Sequence, residues 1–296
     1  MTETRRLKVI GLRPTDREAI KPAELIRVSG HQTLSLYARR AITVLWHNAH
    51  EQGIQPGREY SVELSRLRSD QHRGLDVIKD VVESLMGTIL VMKDESGEEF
   101  RTQFLGPNRM RDKGVSGGVL RYTFPDMLLA ILQDSEVWGR ITLPILMSFS
   151  SKYSVSLYEN ISQWQGLTHK SYHDFSLEEF REMLGVDKGK YEAYGALNKH
   201  VIQPVCAEIN ALAPFNIALI PVKEARKVAR IRIGWSRKTE DELKEAYAEV
   251  ERSRVGRRAR ISGTVELVRP MKSVASASRA ARIDRRTEVL EDPSDA

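Results

Sequence analysis

In "QTLSLYARRAITVLWHNAHEQG" the apolar residues Leu34, Ala38, Ala41, Leu45 and Ala49 recur at the helical period, and Gly53 stands where a C-terminus needs it. The spacing predicts a helix with one buried face. "YSVELSRLR" reads as a short helix entered at Ser61, and "GLDVIKDVVESLMG" as a second one that turns Val77, Val81, Val82 and Leu85 inward and ends at Gly87. An extended "TILVM" follows, then a polar turn "KDESGEE". The Gly-rich "DKGVSGG" leads into "VLRYTF", and the pattern predicts a hairpin.

The same order returns further along. "FSLEEFREMLG" carries Ser176 and Glu179 at capping-box spacing, with Phe175 and Phe180 placed for a hydrophobic staple and Gly185 at the end. In the next segment, "YEAYGALNKHVIQPVCAEIN", Leu197, Val201, Ile202 and Val205 repeat the spacing of Val77, Val81, Val82 and Leu85. "FNIALIPV", a basic turn "KEARK" and "VARIRIGW" then form a hairpin in which Ile231, Ile233 and Trp235 alternate with Arg230 and Arg232. Helix, turn, helix and hairpin, given twice, imply an internal duplication of a winged-helix unit.

The expected class is α+β and mostly helical: two tandem winged-helix domains followed by a disordered basic tail. The expected boundaries are a flexible arm over 1–30, a first domain over 31–136, a second, DNA-binding domain over 137–236 and a charged tail over 237–296. Between the units, "PDMLLAILQD" has Pro125 at a first helical turn, and "LPILMSFSSKYSVSLYENISQWQG" reads as paired helices. The tail holds one charged helical stretch, "TEDELKEAYAEVERS", before Ser, Ala and Arg take over.

Charge sharpens this picture. Residues 252–286 hold eleven Lys/Arg against two acids, residues 287–296 hold four acids and no base, and the remainder is close to neutral. Such a segment suits a polyanion or serves only as a solvated tail. The longest apolar runs fall far short of a bilayer span, and "MTETRRLKVI" lacks the apolar core of a signal peptide, so a cytoplasmic protein with no membrane association is expected. One cysteine, Cys206, excludes an internal disulfide and reads as a core thiol.

The candidate chemistry is binding. Asn198, Lys199, His200 and Gln203 stand opposite the apolar face of their helix, and Pro204 should bend it. Asn and Gln can pair with adenine and Lys with guanine in a major groove, or the four can form an ordinary exposed face. Lys223, Arg226 and Lys227 at the second hairpin turn, with Arg230 behind them, are candidates for phosphates or an adjacent minor groove, as are Lys190 and Lys152. In the first unit the corresponding candidates are His72 and Arg73, after Gln71, and Lys79. There is no phosphate-binding loop, and "GVSGG" lacks the lysine of one. His47, His50 and Glu51 do not have zinc-hydrolase spacing, and no His-x-His occurs. No catalytic residue, metal or cofactor is therefore expected.

"SFSSKYSVSLYENIS", "FSLEEFREMLGV", "VIQPVCAEIN" and "VKEARKVARIRI", in that order, resemble the Rep_3-type plasmid replication initiators over roughly residues 33–236. The resemblance implies a non-enzymatic initiator that binds repeats on duplex DNA at a plasmid origin. It also implies recruitment of host replication proteins such as a helicase and its loader, and repression of the initiator's own promoter at an operator as a homodimer formed through the first domain. A winged-helix transcriptional regulator without a replication role, and a scaffold that binds partners rather than DNA, are the other readings of the same elements.

Overall fold

Two apolar clusters, not one, organise the chain. The computed structural model describes residues 9–27, 34–68, 74–93, 97–111, 117–165 and 171–264. After a 3-10 turn at Val9–Gly11 come strand β1 (Glu18–Pro22), helix α1 (Ala23–Arg27), α2 (Leu36–Gln52), β2 (Tyr60–Glu63), α3 (Leu64–Leu67) and α4 (Leu75–Gly87). Strands β3 (Ile89–Lys93), β4 (Glu99–Gln103), β5 (Asn108–Arg111) and β6 (Val119–Tyr122) and helix α5 (Asp126–Asp134) complete the first half. Ser35 caps α2 by accepting the Ala38 N–H at 3.2 Å. Tyr60, Tyr122, Phe124 and Trp46 meet edge-on or tilted in the first cluster.

Three expectations change here. Ser61 lies in a strand rather than at a helix start, because Tyr60 and Val62 alternate inward against Ser61 and Glu63. "TILVM" and "VLRYTF" fall in different sheets: β3 pairs with β4, while β6 sits between β2 and β5. On α4 the buried row is Ile78, Val81, Val82 and Leu85, since Val77 faces partly outward.

The second half contains β7 (Trp138–Thr142), α6 (Leu143–Ser148), α7 (Lys152–Trp164), β8 (Tyr172–Ser176), α8 (Leu177–Leu184), α9 (Tyr194–Leu197), α10 (Gln203–Leu212), β9 (Phe215–Glu224) and β10 (Lys227–Arg237). Both halves of the predicted capping box on α8 are present, and Gly185 closes the helix at φ +69°, a left-handed position that glycine adopts without strain. The second hairpin, β9–β10, gains a third strand that the sequence did not announce, in the order β8-β10-β9.

The expected arm is not one over residues 9–27. Strand β1 pairs antiparallel with β7, from Glu18 opposite Thr142 to Pro22 opposite Trp138. Its two-residue period sends Ile20 into the first apolar cluster and Ala19 into the second. Helix α2 is buried all round between Ala38 and His50, not on one face, because its polar side meets α7. There Lys21 Nζ lies 2.7 Å from Glu159 Oε1, Thr43 Oγ1 donates to the same oxygen at 2.9 Å, Arg39 donates to Ser156, and Arg40 donates to the Leu146 and Phe149 carbonyls. Burial pulls the Lys21 ammonium below its ordinary value against the opposing pull of Glu159. A polar seam thus joins the two clusters.

Close approach at the seam explains one glycine. A Cβ at Gly139 would meet Ile26 Cδ1 at 3.0 Å and the Gln163 backbone nitrogen at 3.2 Å. Gly139→Ala is expected to destabilise the fold by about 1–3 kcal/mol in urea denaturation, since strand and helix must separate to admit the methyl group. On α2, His47 is fully buried with Nε2 3.4 Å from Glu51 Oε1, and burial holds its imidazole below its ordinary value. The unfolded chain then binds a proton that the folded chain refuses, so stability should fall as pH drops below about 6.5, the ordinary imidazole value. His47→Phe should flatten that part of a pH series of melting curves.

Past β10 the chain does not become a tail at once. Helix α11 (Glu240–Glu251) starts at a capping box of Thr239 and Glu242 and packs on α10 and α6, burying Ala246 and Glu249. Arg257 is 6% exposed and donates to the Glu249, Val250, Arg252 and Ser148 carbonyls. The start of the expected tail therefore belongs to the body up to Arg257, because its helix has a core to cover. Met1–Arg257 forms one unit and Arg258–Ala296 another. Of the latter, 258–264 are described, chiefly as the continuation of a short helix α12 (Arg257–Ile261). The basic stretch beyond lies outside the described residues. No helix among the described residues is long and apolar enough to cross a membrane.

Candidate nucleic-acid interface

Leu197, Val201, Ile202, Val205 and Ile209 bury one side of the segment that runs from α9 into α10. Between the two helices, Asn198–Ile202 forms a π turn in which the Gln203 N–H reaches back five residues to the Asn198 carbonyl. The turn accounts for Pro204. A proline has no N–H to give to the His200 carbonyl, and in a regular α-helix its ring would strike that carbonyl. Widening by one residue relieves the clash without ending the helix, as the right-handed backbone from Leu197 to Gln203 shows. The proline is thus accommodated by a local π turn, and π turns concentrate at functional sites.

On the outer side Lys199, His200 and Gln203 are exposed and Asn198 is half-exposed. The structure brings these four sequence candidates onto one helical segment above an apolar anchor. His200 does not project freely, however: its ring lies against Tyr191, with centroids 5.3 Å apart and planes 18° from parallel.

Tyr191 itself has φ +55°, one of two non-glycine residues with a positive φ in the described chain. Left-handed backbone at a residue with a Cβ costs on the order of 1–2 kcal/mol. It is held by Arg181, whose Nη2 donates to the Tyr191 carbonyl at 3.0 Å and to the Glu192 carbonyl at 2.7 Å. Neither the strain nor the Arg181 grip has a sequence signature, so both were missed.

The second positive φ belongs to Ala225, also at +55°, in the tip of the β9–β10 hairpin. Lys223, Arg226 and Lys227 are exposed around that tip. Arg230 is exposed as well, and its Nε lies 3.3 Å from Glu224 Oε1. The register shifts between Val228 and Arg230, so the ladder is irregular near the wing tip. On the outer sheet face Arg232 makes a two-pronged pair with Asp174 at 2.7 and 2.8 Å and covers the Tyr172 ring.

The remaining candidates divide. Lys152 begins α7, but its ammonium lies 3.2 Å from Asp187 and is partly buried, and burial lowers its pKa. Lys190, 3.7 Å from the other Asp187 oxygen, is half-exposed in its side chain. Lys79 is exposed on α4 beside Asp76 at 3.5 Å. Gln71, His72, Arg73 and most of "GVSGG" lie outside the described residues. Cys206 is half-buried in the second cluster, where burial pushes its thiol up.

Comparisons with known proteins agree with this layout. A family model described as Initiator Replication protein, WH1 matches residues 18–162, starting at the first residue of β1, and one described as Initiator Rep protein, WH2 matches residues 176–235. A curated "Replication initiation protein" from Escherichia coli is 29% identical over 109 residues. That match covers 36% of this chain and about a third, 34%, of the relative's length. The solved structure titled "Crystal structure of Pi initiator protein in complex with iteron DNA" superposes with a TM-score of 0.53 at 17% identity. It covers 77% of this chain and the whole of that one, a likeness of fold.

Proposed function

We propose a function from one premise: this chain belongs to the initiator Rep protein family, matching its WH1 and WH2 domain models in order. It binds repeated duplex sites at a plasmid origin and starts replication there. One observation carries the reading. The Asn198–Gln203 segment turns polar side chains to solvent over a fully apolar inner face and is followed by a cationic wing tip, the division a groove-reading helix needs.

In this reading Asn198, Lys199 and Gln203 meet base edges, while Lys190, Lys223, Arg226 and Lys227 lie along phosphates, with Arg230 adding to them once it leaves Glu224. Lys152 acts mainly by fixing Asp187. Lys79, with His72 and Arg73, gives the first domain a backbone-contacting role. The solved Pi initiator, which shares the fold, is bound to iteron DNA, and that supports repeated origin sites as the target here.

The chain itself performs no chemical step and works in the cytoplasm on plasmid DNA, leaving strand opening and synthesis to recruited host proteins such as a helicase and its loader. Repression of its own promoter by a dimer built on the first domain extends the same reading and rests on the family resemblance.

Footprinting on the DNA flanking the coding region tests this. Protection of tandem direct repeats is the expected result. Protection of a single inverted repeat would favour a transcriptional regulator, and no protection at all would remove DNA binding altogether.

A further inference from the structure

His200 belongs to the exposed polar row, yet its geometry is that of a brace. The loop before the reading helix, Asp187–Ala193, is tied down at three points. Asp187 faces Lys152 and Lys190 at 3.2 and 3.7 Å, Arg181 grips the carbonyls of Tyr191 and Glu192, and the Tyr191 ring is covered by His200. Between these points the loop carries two exposed lysines, Lys188 and Lys190, on either side of Gly189 at φ +80°. A glycine at 191 would adopt the left-handed backbone freely, but it could offer His200 no ring.

A strained residue persists where its surroundings over-determine it, and here Arg181 and the stacked imidazole act together with the second apolar cluster, on which the Tyr191 ring packs, and the Lys190 ammonium 5.7 Å from the ring centroid. A π turn at Asn198–Ile202 supplies the other half of the arrangement, since His200 sits at its middle.

We infer that His200 is a positioning residue and not a base reader: by stacking on Tyr191 it holds the Lys188–Lys190 loop against the reading helix, so that loop and helix engage the duplex as one unit. The inference rests on the proposed DNA binding. Through this brace the loop lysines contribute sequence-independent phosphate contacts, so loosening it weakens every duplex alike.

Three single variants of the full chain separate the roles. His200→Phe keeps a ring without hydrogen-bonding nitrogens, His200→Asn keeps hydrogen-bonding groups without a ring, and Tyr191→Gly keeps the backbone conformation without the stack. The lock is read first without DNA, by amide hydrogen exchange over residues 187–193. Exchange should quicken in His200→Asn and Tyr191→Gly and stay as in the parent chain in His200→Phe. Equal exchange in all four proteins would overturn the brace whether or not DNA is bound.

Titration with repeat-bearing and shuffled duplexes then reads the consequence. His200→Asn and Tyr191→Gly should each bind both duplexes about fivefold more weakly, the scale of a lost aromatic pair, with discrimination unchanged and His200→Phe near the parent. A loss confined to the repeat duplex, or His200→Phe as weak as His200→Asn, would instead make His200 a base contact. If the parent chain bound neither duplex, the functional proposal would fail while the exchange result still decided the brace.

Discussion

Replacing Glu159 with leucine is expected to lower the free energy of unfolding by about 3–5 kcal/mol, because it strands a buried lysine. Lys21 is 2% exposed and Glu159 6%. The ammonium has two side-chain partners, the Glu159 carboxylate at 2.7 Å and the Thr43 hydroxyl at 3.1 Å, and only the carboxylate carries charge. A buried cation without a counter-charge loses hydration with little in return, which outweighs the modest net worth of any single hydrogen bond.

In a chain of this size the loss corresponds to a melting temperature lower by roughly 10 °C. The double variant Lys21→Met/Glu159→Leu should recover most of it, since a seam without charges has no unpaired one. Urea denaturation of the two single variants and the double decides between a stranded charge and a simple packing loss. If the double variant is as unstable as the sum of the singles, the pair is not what makes Glu159 matter.

The second large effect is on binding. Asn198→Ala with Lys199→Ala removes two of the three side chains assigned to base edges, each worth about 1–3 kcal/mol of discrimination. Preference for the repeat duplex over a shuffled one should therefore drop by about thirtyfold or more. Stability should move by no more than about 0.5 kcal/mol per site, because neither side chain belongs to the buried face. Affinity for the shuffled duplex should fall only by what one lost cation contributes.

Much of the fold was legible because its signals are short in range. The capping box of Ser176 and Glu179, the Gly185 stop and the Leu197, Val201, Ile202, Val205 face each lie within a few turns of chain, and periodicity registers them. Strand β1 was not legible, since its partner β7 lies more than a hundred residues away and nothing in "EAIKP" alternates strongly enough to suggest an interior position.

The burial of Arg39, Arg40 and His47 was hidden for a related reason: charged residues on a helix read as a solvated side unless the second element that satisfies them is known. At the candidate interface the polar row was visible from spacing, whereas the π turn and the left-handed Tyr191 depend on backbone geometry that no residue pattern declares. Pro204 was the nearest hint, since a proline inside a helix asks for some local departure from the α-helical ladder, and here the chain widens by one residue.

The most direct measurement is the affinity of the intact chain for a duplex bearing tandem repeats, set beside a shuffled duplex, over a series of salt concentrations. The account expects the repeats to be preferred. It also expects log affinity to fall linearly with log salt at a slope of about −4.5 if Lys188, Lys190, Lys223, Arg226 and Lys227 each neutralise one phosphate. Equal affinity for both duplexes, or affinity that does not change with salt, would contradict the claim that this helix and wing sit on DNA.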